Sequence, residues 1–125
     1  MIQNEGPGWR LSRDPIRGQF PVLIGGEAWA FELTEVEWSG FVEVIFELQR
    51  QHQQLHAQMM QEECICLEFE IEGWWGALEG DRDDWSLQVI LEAKGSGMRG
   101  VEAHWPKPAA KAIAEAVRIM WDSYH

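Results

Sequence analysis

His52 and His56 stand four residues apart, and Cys64 and Cys66 follow shortly after. Imidazoles at i and i+4 share one face of a helix, and two thiolates would complete a tetrahedral zinc site. The spacing argues otherwise. Paired thiolate ligands usually come from C-x-x-C knuckles, and His52 falls on the apolar stripe of its helix, so a histidine pair beside reduced thiols is the better reading. Gly95-Ser96-Gly97-Met98-Arg99-Gly100 spells G-x-G-x-x-G, whose glycines let a helix N-terminus approach a pyrophosphate. Here the run leads into a strand with no βαβ unit around it, and it reads as a hairpin turn. Asp81, Asp83 and Glu92 fit positions one, three and twelve of a calcium loop, but Trp85 and Ser86 occupy the places of an oxygen ligand and the turn glycine. There is no nucleophile elbow, no H-E-x-x-H and no P-loop, so the expectation is no catalytic residue, no metal and no cofactor.

The elements that would position such residues repeat along the chain. A strand-rich stretch followed by an amphipathic helix occurs twice, from about 9 to 60 and from 64 to 124, within one expected domain of 125 residues. Residues 9–13, 20–24 and 28–33 read as strands, with Gly25-Gly26 as a tight turn. Thr34-Glu35-Val36-Glu37 has the form of a capping box that opens a helix. Trp38, Phe41, Ile45, Leu48, His52, Leu55 and Met59 then keep three/four spacing, which predicts a helix as far as Gln61. Ile65, Leu67, Phe69 and Ile71 alternate with Cys66, Glu68, Glu70 and Glu72 as a half-buried antiparallel strand does. Residues 74–78, 85–91 and 99–105 follow as strands. After Pro106 and Pro108 a second helix buries Ala110, Ile113, Val117, Met120 or Trp121, and Tyr124. The fold class expected is α+β, two antiparallel sheet-plus-helix halves (ββββα twice), each half offering a sheet face that the other half's helix can cover.

Charge is uneven. The net charge is −11, and residues 27–92 hold sixteen acids against only Arg50 and Arg82. Such a block repels phosphate backbones, so a nucleic-acid surface would have to come from the flanks: Arg10, Arg13, Arg17, Lys94, Arg99, Lys107 and Lys111. No apolar run is long enough for a membrane span, the N-terminus lacks the pattern of a signal peptide, and the cysteines read as reduced, so a cytosolic location is expected.

Several stretches resemble a family of uncharacterised cyanobacterial proteins catalogued as a domain of unknown function. They are Glu5-Gly6-Pro7-Gly8-Trp9-Arg10, Phe20-Pro21-Val22-Leu23-Ile24-Gly25-Gly26-Glu27 with Trp29-Ala30, Glu32-Leu33-Thr34, Glu62-Glu63, Trp74-Trp75, Trp85-Ser86-Leu87 and His104-Trp105-Pro106. The resemblance implies a fold similar to single-stranded-DNA-binding transcriptional regulators, the group that includes the plant Whirly proteins. It transfers no activity and no catalytic residue, and the Whirly motif of lysines and glycines is not visible.

The functional class expected is a non-catalytic binding or regulatory protein with a protein partner. Its contacts would be solvent-facing aromatics among the eight tryptophans, chiefly Trp9, Trp74, Trp75 and Trp121. The runner-up is single-stranded nucleic-acid binding by sheet aromatics with Arg10, Arg13, Arg17, Lys94 and Arg99; an enzyme comes third. The long first helix, with Leu55 and Met59 extending its stripe past the sheet, predicts a homodimer through that helix.

Overall fold

The computed structural model describes residues 1–93 and 99–124. Lys94 and most of the glycine run after it, residues 95–98, lie outside the described residues. In chain order the elements are β1 (Ile2–Gly6), β2 (Trp9–Arg13), a single 3-10 turn (Pro15–Arg17), β3 (Val22–Gly26), β4 (Ala30–Leu33), α1 (Glu35–His56), β5 (Ile65–Ile71), β6 (Trp74–Gly80), β7 (Trp85–Leu91), β8 (Val101–Trp105) and α2 (Ala109–Tyr124). They build two four-stranded antiparallel sheets, ordered β1-β2-β3-β4 and β5-β6-β7-β8, each followed by a helix. The α+β reading of two sheet-plus-helix halves therefore holds. Strand β1 has too little apolar alternation to be read from sequence; it is held by its pairing with β2, from Ile2 opposite Arg13 to Gly6 opposite Trp9. Gly25 and Gly26 lie within β3 rather than in the turn, which is closed one step later by the Gly26 amide donating to the Trp29 carbonyl at 2.9 Å.

The helices exchange sheets. α1 lies chiefly against β5 and β6, and α2 chiefly against β2 and β7, with a smaller contact to β1. Each half thus buries the apolar face of the other, and neither sheet-plus-helix half is complete alone. α1 opens on the expected capping box: the Thr34 hydroxyl accepts from the Glu37 amide at 3.1 Å, and the Thr34 amide donates to the Glu37 carboxylate at 2.8 Å. Trp38, Phe41, Ile45, Leu48 and His52 of the predicted stripe are all buried.

The expected extension to Gln61 does not occur. α1 ends at His56, and the amides of Gln58 and Met59 both turn back to the Leu55 carbonyl, at 2.9 and 3.1 Å. Met59 folds in and is only 6% exposed, while Leu55 stays 36% exposed at the rim. A straight helix would have carried Met59 off the end of the sheet; turning back recovers its burial, worth about 1.5–3 kcal/mol for a side chain of this size. The uncovered stripe that argued for a helix-to-helix dimer is therefore absent beyond Leu55.

An aromatic spine joins the two sheets. Trp29 meets Trp105 at 5.2 Å between ring centroids, Trp105 meets Phe41 at 6.0 Å, and Phe41 meets Trp74 at 5.6 Å and Trp38 at 6.0 Å. These are ordinary tilted aromatic separations. Two indoles are also fastened to backbone: Trp105 Nε1 donates to the Gly25 carbonyl at 2.9 Å, and Trp74 Nε1 to the Glu37 carbonyl at 3.1 Å. A second fastener is Arg99, which pairs with Glu37 and stacks on Phe20 and Phe31 at 4.4 and 4.7 Å. Much of the tryptophan content thus serves cohesion.

Candidate functional site

Strict alternation in β5 and β7 sends every second side chain away from the core. Register then decides which of these meet. Glu70 stands opposite Trp75, Trp75 opposite Ile90 and Ile90 opposite Glu102, forming one row across the outer face of the second sheet. The next row is Glu68, Ala77, Gln88 and His104, and the third is Cys66, Glu79 and Ser86. Trp75 and Ile90, both half-buried, and Ala77 make a small apolar centre, and Glu68, Glu70, Glu79 and Glu102 are exposed around it. Among the described residues none of the four carboxylates has an arginine or lysine within ion-pairing distance. Gln88 donates to Glu102 at 2.9 Å and Ser86 to the Glu79 carbonyl at 3.3 Å, which holds that edge of the face in place.

The field of this face is felt by the thiol within it. Loss of some hydration to its neighbours first, then the negative charges of Glu79 and Glu68, push the Cys66 thiol above its ordinary range. Its thiolate is therefore disfavoured, the opposite of what nucleophilic or metal-binding chemistry requires. Both cysteines are free and exposed. His52 is buried, and since a carbonyl can only accept, its Nε2–H donates to the Asp81 carbonyl at 2.9 Å. Among the described residues, no three of His, Cys, Asp and Glu converge to hold a metal ion. Asp81 instead accepts the amides of Asp83 and Asp84 at 2.9 Å each, closing the β6–β7 hairpin. Those bonds, that of Asp84 foremost, hold its carboxyl below the usual range.

The aromatics expected to face solvent divide. Trp74 is 2% exposed, a correction to that expectation, because its indole is seated on Gly40 of α1. Trp9 is half-buried on the core side of the first sheet, packed over Gly6. Trp121 is half-buried on α2 and, with Phe46 and Phe69, lines a shallow groove beside α1. Trp75 alone of the four lies on the acidic face. Sequence reading missed its companions Ile90 and Glu102, since only cross-strand register brings them beside it.

Three of the four arginines expected for nucleic acid are held by carboxylates. Arg13, 8% exposed, pairs with Glu35 and stacks on Tyr124 at 4.3 Å; Arg17 pairs with Glu32 at 2.5 Å; Arg99 is held by Glu37. Arg10 is exposed and, among the described residues, reaches only the Trp29 carbonyl, at 3.4 Å. Lys94 lies outside the described residues. No helix among the described residues is long and apolar enough to cross a membrane.

No curated protein matches the chain. It is similar to a crystal structure from Prochlorococcus sp. NATL2A, described as a protein with unknown function from the DUF155 family. The two are 45% identical with a TM-score of 0.89, over 97% of this chain and 99% of that one. The family model for a domain of unknown function, DUF1818, matches residues 4–120, and the chain therefore belongs to the DUF1818 family.

Proposed function

We propose that the protein is a non-catalytic binding module that engages a positively charged protein surface through the outer face of its second sheet. The observation that supports this is the unneutralised ring of Glu68, Glu70, Glu79 and Glu102 around Trp75 and Ile90. An apolar centre with a tryptophan, rimmed by charge of one sign, has the anatomy of a protein contact: the aromatic contributes affinity, and the rim selects the partner's sign and speeds encounter. The same ring repels a phosphate backbone. Single-stranded nucleic-acid binding in the manner of Whirly-like regulators is therefore the weaker reading, the more so as Arg13, Arg17 and Arg99 already hold carboxylates. The two free thiols fit a reducing compartment such as the cytosol.

The test is a titration followed by amide and indole NMR, with a lysine- and arginine-rich helical peptide as probe. The Trp75 indole N–H, assigned by its loss in Trp75→Phe, and the amides of β5 to β8 should shift saturably and less at high salt. Glu70→Lys with Glu102→Lys should abolish the shifts while the fold persists. Equal shifts in the charge-reversed protein would overturn the reading, as would a response to oligothymidine larger than that to the peptide.

A further inference from the structure

A different part of the molecule concentrates positive charge. Between the C-terminal half of α1, the β6–β7 hairpin and α2 lies a cleft of about 350 Å³, lined by Gln49, His52 and His56 from α1, Arg82 from the hairpin, and Lys111 and Arg118 from α2. Asp83 and Glu115 also border it, so three fixed cations face two carboxylates in a chain whose net charge is −11.

The pairing of these groups is what sets the cleft apart. Arg13, Arg17, Arg50 and Arg99 are each neutralised by a glutamate. Lys111 and Arg118, by contrast, have no carboxylate within ion-pairing distance among the described residues. Lys111 donates to the Asp83 carbonyl at 2.7 Å, a neutral acceptor that leaves the ammonium without a paired carboxylate. Arg118 lies 4.1 Å over the Phe46 ring, a stack that fixes the guanidinium plane and leaves its edge N–H groups free to donate. Arg82 has only a loose contact with Asp83, at 3.7 Å, and its Nε is buried without a hydrogen-bond acceptor. Gln49 Oε1, also lining the cleft, is buried without a donor. Buried polar atoms are nearly always satisfied, so an unmet donor and an unmet acceptor on two side chains that line one cavity are groups that a small rotation of either side chain would turn toward a ligand.

We propose that this cleft binds a small phosphate monoester carrying a hydroxyl or amino group, such as a sugar phosphate or a nucleoside monophosphate. Lys111 and Arg118, neither held in an ion pair among the described residues, are both available to the phosphate of a monoester, and the guanidinium fork suits phosphate oxygens. Turned into the cleft, the Arg82 Nε–H supplies a further donor to the phosphate, and Gln49 Oε1 accepts from the hydroxyl or amine of the organic part. The cavity is at the small end of the range for metabolite sites. His52, whose Nε2–H is committed to Asp81, serves as wall.

Calorimetric titration of the full chain with AMP, ribose 5-phosphate, inorganic phosphate and adenosine tests this. Saturable binding of AMP or ribose 5-phosphate is expected, weakened by salt, with inorganic phosphate weaker and adenosine silent. Lys111→Gln and Arg118→Gln, both at exposed positions, should each weaken the monoester by roughly ten-fold while circular dichroism stays unchanged. Gln49→Leu should narrow the gap between monoester and inorganic phosphate. Failure of both monoesters to bind at about 10 mM, an affinity weaker than any useful site, would overturn the proposal. So would adenosine binding as well as AMP, or affinity unmoved by the two cation substitutions.

Discussion

Replacing Gly40 by alanine should destabilise the protein, although it sits in the middle of a helix where that change ordinarily helps. In an exposed helix Gly→Ala gains about 1 kcal/mol from reduced backbone entropy. Here a Cβ at position 40 would stand 2.6 Å from Trp74 Cδ1 and 2.8 Å from its Nε1, well inside normal contact. Trp74 cannot swing away cheaply: it is 2% exposed, touches Phe41 at 5.6 Å between centroids, and donates to the Glu37 carbonyl at 3.1 Å. Overpacking of this kind costs about 1–3 kcal/mol. Loss of the indole hydrogen bond adds about 1 kcal/mol. Set against the propensity gain, the net is a loss of about 1–3 kcal/mol, which for a chain of this length lowers Tm by roughly 4–12 °C. Urea unfolding of wild type, Gly40→Ala, Trp74→Ala and the double variant makes the check complete. With the indole removed, the alanine at 40 should become stabilising again, so the coupling between the two sites is opposite in sign to the simple propensity effect. A Gly40→Ala protein more stable than wild type, or an effect of the same sign in both backgrounds, would refute the reasoning.

Two further outcomes are expected. Asp81 has a depressed carboxyl in the folded state, held by the Asp84 and Asp83 amides, so its contribution is present above the ordinary aspartate range and lost as pH falls through the folded value. Asp81→Asn should therefore remove part of the acid dependence of stability, seen as a flatter slope of unfolding free energy below about pH 4. In a Cys64→Ser background Cys66 should alkylate with iodoacetamide more slowly at pH 8 than an unstructured cysteine peptide. Glu79→Gln, which lies directly across from it in the sheet, should speed the reaction; an unchanged rate would mean that the acidic face exerts no field at that thiol.

How much was legible in the residues alone follows from range. Local and periodic features were: the Thr34–Glu37 capping box, the alternation of Ile65 to Ile71, and the buried stripe from Trp38 to His52 depend on neighbours within a few positions, and they form as their spacing dictates. The double sheet-plus-helix plan followed from the order of those periods. Strand β1 and the end of α1 were not legible, since β1 exists through its pairing with β2, and α1 stops where burying Met59 outweighs another turn of helix. Which tryptophans face out was decided by packing: Trp74 and Trp75 are adjacent in sequence, and the pleat of β6 sends one into Gly40 and the other onto the acidic face. The candidate surfaces lie furthest from the sequence. Glu70, Trp75, Ile90 and Glu102 become one row only through three strand pairings, and Gln49, Arg82 and Arg118 share a cleft only because each helix crosses to the other half. Periodicity specifies which side chains leave the core; only the tertiary register specifies their company.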